Sequence, residues 1–320
     1  MLATTFLLLN ACDGFNFRVD VERQTRAEAL IGRVGADVVA LNELNHWDEE
    51  DIAALAGRLG LPSAFLGRAT ESGYHLGALL RDPDARVVEM NASKPFHHGI
   101  LQIRACLPDG RRPGCVDAVV AVTHLHPHSA QRRRLEAEAI ALRAAEFALQ
   151  GVPFVLLGDL NTLSTRDRAH VESDAVARVL ASTPRLRRKF LVAAEAASEA
   201  GAVAPDYEPM RVLVEEGGLR EIVTTHANCD AILGAKGGRT ALASACAACT
   251  VPTESAADYM HAVPLRLDYA LASGAVLGGD DALPPLGCVV HSVPPLSDHT
   301  ALVVRLGAGN RAASASPREL

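Results

Sequence analysis

Lysine and aromatic side chains are scarce in this chain of 320 residues. Its only lysines are Lys94, Lys189 and Lys236, and aromatic residues make up 4% of the sequence. With so few aromatic side chains, the chain can form few of the stacking platforms that hold single-stranded nucleic acids. The net charge of −7 excludes a generally basic surface, so nucleic acid could bind only through a local patch.

Long apolar runs and a regular cysteine framework are also missing. The longest apolar stretches have the length of a strand, far short of the roughly 20 residues of a membrane helix. Residues 1–9 lack a basic leader, so we expect no secretory signal and an intracellular, cytoplasmic protein. Seven scattered cysteines favour reduced thiols. Cys246 and Cys249 have the spacing of a metal or redox pair, but no second pair completes a zinc site, so we interpret them as loop thiols.

The periodicity of apolar residues predicts an α/β chain. Apolar runs indicate buried strands at 4–9, 37–41, 116–122 and 152–157. Helical spacing is clearest at 20–34, 48–59 and 129–149. Asp20 is the expected N-cap of the first helix, and Gly35 its end.

Shorter elements fill the rest of the chain. Strands at 64–66, 76–80, 86–90 and 100–105 predict an antiparallel meander. From 162 to 264 we expect helices at 171–181, 188–200 and 210–216 but no clear strand, a pattern typical of a lid or substrate-recognition excursion. Strands return at 267–271, 289–290 and 300–304, and the Ala/Ser-rich residues 307–320 predict a disordered tail.

Polar residues follow several of these strands directly. The run Val155-Leu156-Leu157 ends in Gly158-Asp159-Leu160-Asn161, which places a carboxylate and a carboxamide at the rim of a sheet. Alone, such residues are more often turn formers than catalysts. Companions stand at the other strand ends, in the order Asn10, Glu43, His124, Asp268 and Ser297-Asp298-His299.

This ordered series resembles the endonuclease/exonuclease/phosphatase superfamily, which has the deoxyribonuclease-I-like fold, from about Asn10 to Val304. The resemblance implies an α/β (α+β) four-layer sandwich of two stacked mixed β-sheets flanked by helices. It implies a single domain over 1–306 with a long insertion at about 165–264. It also implies a phosphoester hydrolase that depends on Mg²⁺, with Mn²⁺ possible, and no obligatory protein partner is evident.

The chemistry of phosphodiesters suggests roles for these residues. A phosphodiester resists attack because its anionic oxygens repel nucleophiles, and a hard divalent cation neutralises that charge. Glu43 is the candidate Mg²⁺ ligand, with Asn10 and Asp298 as nearby oxygen donors.

The remaining motif residues are candidates for handling water and phosphate. Asp159 is expected to orient or deprotonate the attacking water, and Asn161 to hold a non-bridging phosphate oxygen. By the resemblance, His299 lies against the phosphate and is oriented by Asp268, while His124 donates a proton or hydrogen bond to the scissile phosphate.

Substrate contacts are harder to predict. His98 falls where family members often present a phosphate-contacting basic residue. Arg266 either braces its loop or touches phosphate, and Tyr269 belongs to a segment expected to line the entrance. We assign His126 and His128 to the surface, because three imidazoles on an irregular loop seldom converge on a metal.

Three functions remain open from the sequence. The first is a phosphodiesterase that acts on DNA or RNA, although no tyrosine stands clearly where nuclease members bind phosphate. The second is an enzyme for a small phosphorylated metabolite or a lipid head group. The third is a non-catalytic binding module on the same fold. A basic stripe beside Asp159 would favour the first, and a narrow pocket closed by residues 200–264 the second.

Overall fold

A computed structural model describes residues 4–16, 20–69, 71–91, 93–108, 114–193, 203–222, 250–251, 263–274, 286–290 and 296–306. The expected tail at 307–320, the pair Cys246 and Cys249, and residues 252–262 beside the predicted entrance lie outside these ranges. Within the described residues, no helix combines the length and the apolar character that crossing a membrane requires.

One mixed sheet is built from both ends of the chain. Its strands are β1 (Thr5–Asn10), β2 (Val38–Asn42), β3 (Ser63–Gly67), β4 (Leu76–Leu80), β13 (Leu286–Val290) and β14 (Ala301–Arg305). They lie in the order β13-β14-β1-β2-β4-β3. Only β1 and β2 are parallel in this sheet, and α1 (Val21–Val34) connects them. As predicted, Asp20 caps α1 and Gly35 ends it in the left-handed conformation.

A second mixed sheet contains the middle of the chain. Its strands are β5 (Arg86–Asn91), β6 (Ile100–Pro108), β7 (Cys115–His124), β8 (Phe154–Asp159), β11 (Leu219–Glu221) and β12 (Asp268–Ser273). They lie in the order β11-β12-β8-β7-β6-β5. β7 and β8 are parallel and are connected by α3 (Ala130–Leu149), whereas β12 runs antiparallel to β8.

Alternation along the strands produces the four layers. In β1, Phe6 and Leu8 belong to the core between the two sheets, while Leu7 and Leu9 pack in the cluster formed with α1 and α2 (Glu49–Leu59). In β8, Val155 and Leu157 face the inter-sheet core, and the intervening Leu156 packs on the α3 side. The strands are therefore buried on both faces, which explains their nearly continuous apolar runs.

The described residues between β8 and β12 are mainly helical. It comprises α4 (Arg168–Val171), α5 (Asp174–Ser182), α6 (Pro184–Phe190), the strands β9 (Leu191–Ala193) and β10 (Val203–Pro205), α7 (Glu208–Arg211) and a π-helical turn at Val212–Glu216. The predicted helix at 188–200 is wrong over its described part, since the chain changes from helix to strand at Leu191, and residues 194–200 lie outside the described ranges. The expectation of no strand here is also wrong, because β11 pairs with β12 as the edge of the second sheet.

Two further expectations need correction. The predicted meander is divided: β3 and β4 join the first sheet, whereas β5 and β6 pair in the second. The cysteines are not all reduced thiols, since Cys106 and Cys115 form a disulfide with their Cα atoms 5.3 Å apart. Pairing of β6 with β7 brings these two residues together, a proximity that sequence spacing does not reveal.

Candidate active site

The polar residues at the strand ends lie on the inner faces of the two sheets, at one edge of the sandwich. Asn10 continues the inward positions Phe6 and Leu8 of β1, and Asp159 continues Val155 and Leu157 of β8. By the same alternation, Asn42, His124 and Asp268 continue the inward positions of β2, β7 and β12. Asp268 is paired in register with Asp159, and His124 is also in register with Asp159. The sheet registers thus bring these groups to one place.

The buried carboxylate of Asp159 lies between two histidines. Its Oδ2 is 3.4 Å from His124 Nε2 and 3.8 Å from His299 Nε2. Burial raises the pKa of the Asp159 carboxyl to about 7, even though the charges of His299 and Lys189 act in the opposite direction. The residue therefore combines ionisation near neutral pH with two nearby imidazoles.

Glu43 forms the second acidic position. One ligand atom each of Glu43, His124 and Asp159 lies within 4.8 Å of the others. Asn10 Nδ2 donates to Glu43 Oε1 at 3.1 Å and so fixes the carboxylate. Burial raises the pKa of Glu43, and the nearby Asp298 adds to this rise while His299 opposes it. Such crowding of oxygen ligands is suited to a divalent cation.

His299 is held in the charged form by its neighbours. Its Nδ1 donates to Asp268 Oδ2 at 2.6 Å. Burial lowers the pKa of His299, but the charges of Asp268, Asp298 and Asp159 outweigh it, so the net pKa lies well above the ordinary value. Thr250 aligns the pair, because its hydroxyl accepts from the Asp268 backbone N–H and its carbonyl accepts from that of Thr300.

His124 is kept neutral by a different environment. Burial, and then the neighbouring His98 and His299, lower the pKa of His124 well below its ordinary value. The His98 ring stacks on it, with the ring centroids 4.1 Å apart. His98 Nδ1 hydrogen-bonds Ser72 Oγ at 2.7 Å, and its Nε2 is buried with no hydrogen-bond partner among the described residues.

Backbone and amide contacts fix the loop after β8. Asn161 has φ +48°, and its backbone N–H donates to Asp159 Oδ1 at 2.9 Å. Its side-chain Nδ2 donates to the Leu125 carbonyl, so this amide supports the loop next to His124. Gly158 is required by packing, because a Cβ there would lie 2.1 Å from the Thr123 carbonyl oxygen.

Two predicted substrate contacts are not brought into this cluster. Arg266 is buried and pairs with Asp167 and Glu221, which matches bracing of the loop rather than contact with phosphate. Tyr269 follows Asp268 along β12 and therefore faces the opposite side of the sheet, where its hydroxyl contacts the carbonyls of Thr162 and Arg266. The placement of both residues contradicts a substrate-binding role.

The loop histidines also differ from expectation. His128 is exposed, as predicted, but His126 is only 8% exposed. His126 Nδ1 accepts from the backbone N–H groups of His128 and Ser129, and its ring lies 4.5 Å from that of His97. The buried Glu136 accepts from the backbone N–H groups of His97 and His126, so it fastens the two histidine loops to each other.

Three residues of the site were missed by sequence analysis. Asn42 links the two sheets, because its Oδ1 accepts from Asp159 N–H and its Nδ2 donates to the Thr123 carbonyl. Tyr74 lies beside His98, and burial followed by the charge of Glu43 raises its pKa. Lys189 is buried on α6. Burial lowers the pKa of its amine to about 8, although the charge of Asp159 acts in the opposite direction. Asn42 directly precedes Glu43, a signal that could have been used, whereas Tyr74 and Lys189 stand in no recognisable motif.

A two-sheet α/β sandwich with carboxylates and histidines gathered at one edge is suited to the metal-dependent hydrolysis of phosphoesters. The Endonuclease/Exonuclease/phosphatase family model matches residues 14–299 of the chain. The protein therefore belongs to the endonuclease/exonuclease/phosphatase family. This confirms the family and the fold that the ordered motifs predicted.

Solved structures show the same fold at low sequence identity. Truncated TDP2 of Caenorhabditis elegans is 15% identical, with 95% of this chain and 97% of that chain covered and a TM-score of 0.54. D. rerio TDP2 complexed with single strand DNA product is 12% identical, with coverages of 94% and 97% and a TM-score of 0.52. An endonuclease/exonuclease/phosphatase family protein from Bacteroides thetaiotaomicron is 10% identical, with coverages of 94% and 96% and a TM-score of 0.53. A comparison with curated proteins found no match.

Proposed function

We propose that this protein hydrolyses phosphodiester bonds with the help of Mg²⁺ or Mn²⁺, by direct in-line attack of water. One observation carries the proposal: the Asp159 carboxylate lies 3.4 Å from His124 Nε2 and 3.8 Å from His299 Nε2, with Glu43 in the same cluster. A base for water and two groups for phosphate are thus adjacent. A binding module that had lost its chemistry would not need this combination.

The residues present fit a divalent cation. Glu43 would hold it, with Asn10 and Asp298 as further oxygen donors, because Mg²⁺ prefers oxygen and keeps several waters. Burial raises the pKa of Glu43 and the charge of Asp298 adds to the rise, so a nearby cation would favour the ionised carboxylate. When bound, the cation neutralises phosphate charge and acidifies water. We assign His124 to the phosphate rather than to the metal, since nitrogen is a poor Mg²⁺ ligand.

The protein's own side chains then have separate roles in the reaction. Asp159 accepts the proton of the attacking water, and the Asn161 N–H at 2.9 Å orients the carboxylate through Oδ1. The charged His299, held by Asp268, donates a hydrogen bond to a phosphate oxygen. The neutral His124 donates a hydrogen bond to the negative charge that develops on the leaving oxygen, which takes its proton from solvent water. No serine or cysteine nucleophile is required.

The substrate that we propose is a nucleic acid. Helix α6 exposes Arg185, Arg187 and Arg188 beside the site, and the charges of Arg185 and Arg188 act on the nearby His128. Such a local basic patch attracts a phosphate backbone even though the whole chain is acidic. The D. rerio TDP2 structure, which has the same fold, contains a single strand DNA product. A small phosphorylated metabolite or lipid head group is the competing substrate.

Hydrolysis assays with a matched pair of variants test this function. Purified protein is given a chromogenic phosphodiester, a chromogenic phosphomonoester, intact and abasic DNA, and short RNA, each with Mg²⁺ and with chelator. Asp159→Asn should reduce turnover by about 10³-fold or more, because the base for water is lost. Asp174→Asn makes the same chemical change at an exposed position in the first turn of α5, and it should retain wild-type rates.

The panel also separates the substrate classes. Metal-dependent cleavage of DNA or RNA that disappears in Asp159→Asn supports the proposal. Preference for a small phosphoester would replace the nucleic acid by a small substrate and leave the chemistry unchanged. Equal rates in wild type and Asp159→Asn would remove Asp159 from the mechanism.

A further inference from the structure

Lys189 is a buried cation whose charge acts on residues of the site. It lies in the last turn of α6 and is 6% exposed. Its charge acts on the carboxylates of Asp159, Glu43 and Asp298. Nevertheless, no carboxylate oxygen among the described residues lies within 4.0 Å of the Lys189 amine, the distance expected of an ion pair. The amine is therefore within electrostatic range of the acidic cluster without forming an ion pair with it.

The two buried arginines of the described residues are paired. Arg133 lies 3.7 Å from an Asp206 oxygen and donates to the carbonyls of His126 and Lys189. Arg266 pairs with Asp167 and Glu221. Burying a cation without a close counter-ion is unfavourable, so it is rare unless the cation has a function. The placement of Lys189 is consistent with an anion that enters with the substrate.

The position of Lys189 is fixed by its backbone. Arg133, which is fully buried on α3, donates through Nη2 to the Lys189 carbonyl and through Nη1 to the His126 carbonyl at 3.2 Å. In addition, the Asp206 N–H donates to the Phe190 carbonyl at 2.8 Å. The end of α6 is thus fastened to the loop that follows His124. A side chain built on such an anchored helix end is preorganised.

We propose that Lys189 is a substrate-binding residue whose ammonium contacts a non-bridging oxygen of the phosphate group. This deepens the proposed function and rests on it. Attack by water adds negative charge to the phosphate, and the carboxylates around it are repulsive, so a third cationic group beside the metal and His299 stabilises the transition state. Lysine suits this position as a compact point charge with three donors.

A structural role is the competing explanation. The Lys189 amine lies 5.0 Å from the centroid of the Phe190 ring, and this cation–π contact could account for its burial. A purely structural lysine would affect stability and leave phosphate binding unchanged. Phosphate binding therefore has to be measured separately from folding.

The test compares Lys189→Met, Lys189→Gln and Lys189→Arg with wild type. Methionine keeps the unbranched apolar stem, glutamine is a second neutral variant in case methionine impairs folding, and arginine restores the charge. Arg33→Met is the control, because Arg33 is an exposed cation in the last turn of α1. For each variant, kcat/KM is measured on a chromogenic phosphodiester with Mg²⁺. The affinity for inorganic phosphate is measured by calorimetry, and thermal unfolding reports folding.

We expect the neutral variants to lower kcat/KM by about 10²-fold, the usual effect of losing one transition-state donor. They should weaken phosphate binding by about tenfold, as expected when one charged hydrogen bond is lost. Lys189→Arg should recover part of both, and Arg33→Met should match wild type. Wild-type kcat/KM and phosphate affinity in folded neutral variants would overturn the inference and leave the proposed hydrolase intact.

Failure of the proposed function has a distinct signature. A wild type that cleaves no phosphoester but binds phosphate, with binding lost in Lys189→Met, would remove the hydrolase and retain Lys189 as a phosphate ligand. A wild type that neither cleaves nor binds phosphate would overturn both.

Discussion

Asp159 is flanked by two histidines that share burial and proximity but differ in charge. On one side, His299 hydrogen-bonds Asp268 at 2.6 Å, and the surrounding carboxylates raise its pKa despite burial. On the other side, His124 stacks on His98, and burial lowers its pKa. His124 Nδ1 is buried with no hydrogen-bond partner among the described residues.

The difference shows that the neighbour, and not the residue type or its burial, decides the state of each imidazole. Desolvation penalises the charged form on both sides, and at His299 the hydrogen-bonded Asp268, together with Asp298 and Asp159, reverses that penalty. The charged His299 is suited to holding an anionic oxygen throughout the reaction. The neutral His124 is suited to contacting the leaving oxygen without binding phosphate too tightly.

Removing the charge of Asp268, the partner of His299, should lower kcat more than any change on the His124 side. Asp268→Asn deletes the carboxylate that keeps His299 protonated and oriented, so kcat should fall by about 10³-fold, as when the carboxylate behind a catalytic histidine is lost. Steady-state kinetics on a chromogenic phosphodiester measures it, with Asp174→Asn as the control. A loss below tenfold would mean that His299 does not depend on this partner.

Replacing His124, the neutral histidine, should lower kcat by a smaller factor. His124→Ala removes the hydrogen-bond donor for the leaving oxygen, and kcat should fall by about 10²-fold for DNA, the usual effect of losing one donor to a developing oxyanion. A nitrophenolate leaving group needs little stabilisation of its charge, so the chromogenic diester should be affected much less. The ratio of the two losses is the measurement. Equal losses on both substrates would assign His124 to phosphate binding in place of the leaving group.

The smallest effect is expected at Ser72. Ser72→Ala removes the hydroxyl that orients His98 Nδ1, and His98 stacks on His124. Loss of one neutral hydrogen bond should lower kcat/KM by several-fold, about 1 kcal/mol. Ser182→Ala is the matched control, because that exposed hydroxyl donates to the Val179 carbonyl within the end of α5, and the described residues give it no contact with the site. Unchanged kinetics in Ser72→Ala would show that His98 needs no support from this hydroxyl.

Sequence patterns predicted most of the frame and part of the site. Asn10, Glu43, Asp159 and Asp298 follow or precede apolar strands, so their positions at one edge could be expected from strand ends alone. The roles assigned to them stay predictions. The failures lie where distant segments meet. Arg266 and Tyr269 are close to Asp268 in sequence. Arg266, however, forms ion pairs with Asp167 and Glu221, and Tyr269 faces the opposite side of β12.

The sequence by itself determined the strands, the first helices and the identity of the residues at the strand ends, because period and capping act over a few neighbouring residues. Only the tertiary structure decided which of these residues meet. It paired Asp268 with Asp159 in register, set His299 against Asp268, stacked His98 on His124 and brought Lys189 from α6 towards the carboxylates. Sheet registers and helix packing fix such distances, and no local pattern encodes them.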